Sequence, residues 1–122
     1  MAATGLELGE VSGSRVTGTV ETGPAHHTPF GVVHGGLYSA IMETAASVGA
    51  TAAVADRGQF SVGVNNSTDF LRPVTSGRLD VLAEPIQQGK TLQLWQVQLT
   101  RAEDGKLVAR GQVRLQNVPL PT

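Results

Sequence analysis

A chain of 122 residues with 40% hydrophobic content, 15 glycines and 6 prolines has the make-up of one folded domain, residues 1–122, and is neither disordered nor fibrous. A formal net charge of -1 and nine scattered basic residues leave no tract for nucleic acid. The lack of cysteine excludes disulfides, thiolate catalysis and cysteine-held zinc, and fits a cytoplasmic location.

The opening MAATGLELGEV has neither the basic segment nor the apolar run of a secretory leader, so residues 1–10 are expected to be a loosely held lead-in. Val11–Thr22 reads as the first strand, with Val16, Gly18 and Val20 on one parity and Arg15, Thr17, Thr19 and Glu21 on the other. The segment GPAHHTPFGVV, residues 23–33, is broken by Pro24, Pro29 and Gly31 into an irregular crossing. His26, His27 and His34 match no standard zinc spacing and have no acidic neighbour in sequence, so no metal site is expected.

Gly35-Gly36 then feeds the one long helix, in a stretch running from His34 to Asp56 and stopped at Gly58. Leu37, Ile41, Thr44 or Ala45, Val48, Ala52 and Ala55 recur at helical spacing and are expected to face the core. The opposite face carries Gly36, Ala40, Glu43, Ser47 and Ala50, where an exposed helix normally carries long charged side chains. That small-residue face points to contact with a second subunit. The helix contains Glu43 and several small polar residues, which falls well short of the roughly eighteen apolar positions a membrane span needs.

Four strands are expected after the helix. Phe60–Phe70 places Val62 and Val64 on one parity and ends before Arg72-Pro73, and Gly77–Pro85 alternates cleanly. Residues 86–90 contain a Gln-Gln-Gly turn. Thr91–Arg101 puts Trp95, Val97 and Leu99 on one side and Leu92 and Leu94 on the other, which requires either a bulge near Leu94 or partial cover on both faces. Asp104-Gly105 marks a hairpin into the alternating run Leu107–Leu115. The order of strand, helix and four strands, the last three meandering, defines an α+β fold with a sheet packed on one helix.

The chemistry gathers at the start of the helix. Backbone N–H groups in a first helical turn have no internal partner and sit at the positive end of the helix dipole. At Gly35-Gly36 no side chain blocks the approach of a thioester carbonyl to such a donor. Glu43, two turns on, either serves as general base or nucleophile or is an ordinary solvent-facing glutamate. His34 either orients substrate or caps the helix entry.

The segment HHTPFGVVHGGLYSAIMETAAS resembles the PaaI-like thioesterase group of the hotdog superfamily, in particular the Arthrobacter-type 4-hydroxybenzoyl-CoA thioesterase branch. The likeness runs from about Val11 to Leu115. It is carried by GVVHGG, by the carboxylate eight residues beyond Gly35, and by FLRPV at residues 70–74. It implies an antiparallel sheet wrapped around a central helix and a homodimer assembling into a homotetramer. It also implies metal-free hydrolysis of acyl-CoA, with CoA as part of the substrate and no separate cofactor.

By that resemblance Gly35 supplies the carbonyl-polarising amide, Glu43 the catalytic carboxylate, and Ser47 a hydroxyl that holds the attacking water. Arg72 and Thr91 fall where relatives meet the nucleotide end of CoA, across subunits; Lys90, with Arg72, Arg78 and Arg110, either gathers near the CoA phosphates or is an ordinary solvated charge. One position departs: where relatives often carry Asn or Gln, this chain has Thr28, whose function passes through water or to His27 or His34. Tyr38 and Phe30 either flank an aryl acyl group or fill the core or a subunit interface. The expected reaction is hydrolysis of an aromatic acyl-CoA of hydroxybenzoyl or phenylacetyl type. The competing readings are a hydratase or dehydratase of enoyl thioesters and a non-catalytic acyl-CoA binder.

Overall fold

The computed structural model describes residues 4–121. Its strands are β1 (Glu7–Val11), β2 (Val16–Thr22), β3 (Gln59–Phe70), β4 (Gly77–Gln88), β5 (Leu92–Arg101) and β6 (Leu107–Pro119), with helix α1 (Gly35–Val54) between β2 and β3. All pairings are antiparallel, and the sheet order is β1-β2-β4-β5-β6-β3. The meander β4-β5-β6 is therefore as expected, and α1 lies across the sheet it connects to.

The first strand is corrected to two. Ser12-Gly13-Ser14 is a reversal, closed by Ser12 N–H donating to Arg15 O and by Ser12 Oγ accepting from Arg15 N–H. Residues 7–10, expected to be loose, join Val11 in an edge strand paired with β2. All five are exposed, so β1 carries none of the apolar alternation by which a strand is recognised.

His34 caps α1 through Nδ1, which accepts the Gly36 N–H at 3.0 Å, and a 3₁₀ turn at Ala55–Arg57 leads to Gly58, left-handed at φ 68°. The buried stripe is Tyr38, Ile41, Met42, Ala45, Ala46, Gly49, Ala50 and Val54. This corrects the phase read from the sequence: Ala52 and Ala55 are exposed, Leu37 and Val48 are only half-buried, and Ala50 faces the core. Small residues lie inward because the helix approaches the sheet closely. A Cβ at Gly49 would run into the Trp95 ring and come within 2.8 Å of Val16 Cγ2. Bulk at this point of the helix would be a steric fault, so the volume beside Gly49 is supplied by Trp95 and Val16 of the sheet.

β4 runs through Pro85 to Gln88 instead of ending at Pro85, with a register shift between Pro85 and Gln87 that lets proline sit in a strand. The irregularity opposite Leu94 thus belongs to β4. On β5, Leu92 (42% exposed) and Leu94 face outward, and the inward position between them is Gln93. Gln93 is buried and fully engaged: Nε2 donates to Ala50 O and to Asn117 Oδ1, and Oε1 accepts from Trp95 Nε1 at 2.9 Å. It ties the C-terminal half of α1 to the sheet, where an unpaired amide would cost about 1–3 kcal/mol.

β3 also differs from expectation. Val62 and Val64 share a parity, but the inward positions are Ser61 and Gly63. A register shift between Gly63 and Asn65 then transfers the helix-facing parity to Asn66 and Thr68.

Candidate active site

The N-terminus of α1 and the loops around it form an open, mainly apolar cleft of about 380 Å³. It is lined by Thr28, Val32, Val33, Gly35, Tyr38, Phe70, Leu71, Arg72 and Pro73. The loop carrying Thr28 is fixed by its backbone: Thr28 N–H donates to Val32 O, Val33 N–H to Val74 O, and His34 N–H to His26 O. Of the two glycine amides, that of Gly36 is taken by His34 Nδ1, whereas the Gly35 N–H has no acceptor among the described residues. His34 thus serves as the cap, and as a consequence the donor left at the positive end of the helix is Gly35.

The Phe70 ring lies across Gly35, within 3.2 Å of where a Cβ would stand, and Tyr38 packs behind it with ring centroids 6.1 Å apart. Tyr38 is buried, and its hydroxyl has no hydrogen-bond partner among the described residues. Burial raises its pKa above 10.0, opposed in part by the positive charge of Arg101. Phe30, 90% exposed, is not among the residues that line the cleft.

Glu43 lies on a second, larger groove of about 680 Å³ along the exposed side of α1, shared with Ser39, Ala40, Thr44, Ser47, Val48 and Asn66. Its carboxylate rests over Gly63 of β3, where a Cβ would come within 3.2 Å of Cδ and 3.3 Å of Oε2. Glu43 is exposed and makes no ion pair among the described residues. Ser47, one turn on, lines the same groove. Sequence reasoning missed Gly63 and Asn66: each draws its meaning from the β3 register, which a bulge alters.

Other candidate residues are separated. Gly35 and Glu43 are eight residues apart on one helix, about 12 Å along its axis, so one reacting carbon does not lie against both in a single chain. Arg72 is on the rim of the Gly35 cleft, its Nη1 donating to Leu107 O at 2.6 Å and its N–H to Val108 O. Lys90 and Thr91 form the β4–β5 turn, where Lys90 O accepts from Asn117 Nδ2 and Thr91 O from Asn117 N–H. Val108 and Asn117 are nine residues apart on β6, so Arg72 and Lys90 stand about 30 Å from one another.

The three histidines are also dispersed in role. His26 Nε2 meets Thr4 O, His27 Nε2 meets Thr75 O, and His34 caps the helix. No group of three metal-ligating side chains occurs among the described residues, and none of their helices is long and apolar enough to cross a membrane.

Residues 30–108 match the model of the thioesterase superfamily. A "putative esterase" of Mycobacterium tuberculosis is 42% identical over 116 residues, 93% of this chain and 82% of that protein. Its solved structure superposes with a TM-score of 0.94, at 40% identity and with 99% and 97% of the two chains covered. A thioesterase of Haemophilus influenzae gives a TM-score of 0.90 at 29% identity, covering 99% of this chain and 83% of that one. A 1,4-dihydroxy-2-naphthoyl-CoA thioesterase of Arabidopsis thaliana is 36% identical over 101 residues, 81% of this chain and 62% of that protein. With a six-stranded antiparallel sheet packed on one long helix, the chain belongs to the thioesterase superfamily and is a thioester hydrolase of the hotdog fold.

Proposed function

We propose that this hydrolase cleaves an aromatic acyl-CoA to the free acid and CoA, in a site assembled from two copies of the chain. The observation that carries the reading is the unpartnered Gly35 N–H at the head of α1, beside a cleft walled by Tyr38 and Phe70. A thioester carbonyl at that amide is polarised, and the aromatic pair offers a flat apolar wall to an aryl acyl group. The Arabidopsis relative's named substrate is an aromatic acyl-CoA, which favours the same class.

Glu43 of a second copy acts as general base. It takes a proton from water as the water oxygen bonds to the carbonyl carbon, and the oxyanion is held by Gly35 N–H. Collapse breaks the C–S bond, and the proton returns to the CoA thiolate. The 12 Å between Gly35 and Glu43 within one chain supports this division of labour. β3, a free edge of twelve residues, is where a second copy extends the sheet, and pairing of such dimers gives a homotetramer. Arg72 and Lys90, too distant to share one nucleotide within a chain, contact CoA phosphates from different copies.

The test is a panel of benzoyl-, hydroxybenzoyl-, phenylacetyl- and medium-chain acyl-CoA, with CoA release followed by a thiol reagent. The expected result is the highest kcat/KM on an aryl thioester, and a fall in kcat of roughly 10²–10⁴-fold in Glu43→Gln. Preference for aliphatic chains would remove the aromatic assignment. On an enoyl-CoA added to the panel, loss of enoyl absorbance without thiol release would point to a hydratase.

A further inference from the structure

Asn66 stands in the groove of Glu43, although its sequence context, VNNST, marks it only as one polar residue of a mixed strand. The β3 bulge puts it there. With the register of Ser61 and Gly63 continued, Asn65 and Ser67 would face the helix; the shift between Gly63 and Asn65 turns Asn66 and Thr68 inward.

The carboxamide is held at both ends. Its Nδ2 donates to Ser39 O at 3.0 Å, and its Oδ1 accepts from Thr68 Oγ1 at 2.7 Å. Thr68 Oγ1 in turn accepts from Ser39 Oγ at 3.3 Å. A carbonyl only accepts, so the bond to Ser39 O fixes which end of the amide is nitrogen. Ser39 O is also the oxygen to which the helix pattern assigns the Glu43 N–H, so the carboxamide lies beside the backbone of the catalytic residue. One lone pair on Oδ1 and one N–H on Nδ2 have no protein partner among the described residues.

We propose that Asn66 is a water-positioning residue of this site, resting on the reading of Glu43 as general base. An attacking water directs one proton to the Glu43 carboxylate and the other to the open lone pair of Asn66 Oδ1, which leaves its own lone pair aimed at the carbonyl carbon. Asn66 thereby supplies, from β3, the amide that Thr28 does not provide from the loop. Thr68 and Ser39 set its orientation.

The experiment compares wild type with Asn66→Ala and Thr68→Val on the best aryl-CoA, with and without hydroxylamine, after subtraction of the uncatalysed reaction. Hydroxylamine forms a C–N bond as the C–S bond breaks, so hydroxamate and free acid report capture by the added nucleophile and by water. Expected for Asn66→Ala is a kcat lower by roughly 10- to 100-fold at unchanged KM, and a hydroxamate-to-acid ratio raised several-fold, because only water loses its second anchor. A structural role would lower both products together and leave the ratio unchanged, and that result overturns the proposal. If Asn66→Ala does not fold, isosteric Thr68→Val carries the test: a smaller fall in kcat with the same rise in ratio supports it, and wild-type values overturn it. A wild type that turns over no thioester sinks the general-base reading and this inference together, whereas an active wild type with an unaffected Asn66→Ala sinks only this inference.

Discussion

Gly49 and Gly35 both lie against an aromatic ring on the same helix, yet the two contacts differ in what surrounds them. Gly49 meets Trp95, which is fully buried and pinned by its Nε1 bond to Gln93 Oε1. Gly35 meets Phe70, which is 58% exposed and packs against Tyr38. At Gly49 the missing side chain lets helix and sheet close on each other, and the contact belongs to the core. At Gly35 it leaves a backbone N–H open beside a ring that has room to move. The same residue type therefore serves packing at one end of α1 and chemistry at the other, and the environment of the ring decides which.

The largest expected effect separates the amide from the close approach at Gly35. Proline suits the first position of a helix, and His34, extended at φ -68° and ψ 133°, has the conformation that precedes proline. Gly35→Pro should therefore keep the fold, by circular dichroism and Tm, while kcat/KM falls by an amount worth about 3 kcal/mol. Gly35→Ala keeps the N–H and asks only that the Phe70 ring give by a few tenths of an ångström, so its kcat/KM should stay within roughly tenfold of wild type. Equal losses in the two variants would show that the space, not the donor, matters.

At Gly49 the effect moves to stability. A methyl group there has no free volume beside Trp95, so Gly49→Ala should lose about 1–3 kcal/mol of unfolding free energy in urea, with kcat per folded molecule unchanged. Wild-type stability would break the comparison.

The smallest effect concerns a wall of the Gly35 cleft. Arg101 Nη1 donates to Pro73 O, and Arg101 is itself held by Asp104, Nη2 to Oδ2 at 2.8 Å. The hydrogen bond from Arg101, with help from the Lys106 N–H, lowers the Asp104 pKa from 3.8 to about 2. Because the folded value lies below the ordinary one, the stabilising contribution is complete above about pH 4 and is lost as pH falls through about 2. Asp104→Asn should accordingly lower Tm slightly at pH 7 and less at pH 2, a difference that thermal melts at the two pH values would reveal.

Much of this molecule is legible in its amino-acid order, for reasons that differ from place to place. The helix start at HGG and its stop at Gly58 carry local backbone chemistry, as does Asp104-Gly105, and all three are where the sequence puts them. Gly77–Pro85 and Leu107–Leu115 alternate because one face is covered and the other is open. The inward face of α1 is rotated from the one its apolar spacing suggests: Ile41 and Ala45 lie inward as expected, but Ala46, Gly49 and Ala50 do so too, because the close approach to the sheet admits small residues there and leaves Val48 half-buried. β1 has no buried face to betray it, and the buried Gln93 looks like a surface residue until its five-group network is seen. Glu43 and Gly35 were accessible from type and spacing. Their separation, and the presence of Gly63 and Asn66 around Glu43, depend on register and a bulge, which no local pattern records.

The claim on which the rest depends is that one thioester is gripped by Gly35 of one chain and attacked with the help of Glu43 from another. Co-expression of Gly35→Pro with Glu43→Gln, each reduced to about a hundredth of wild-type activity or less alone, tests it most directly, because a mixed dimer holds one site with both defects and one with neither. With random pairing the account predicts recovery to about one quarter of wild-type activity. A co-expressed pair that associates and yet stays as inactive as either variant alone would contradict it.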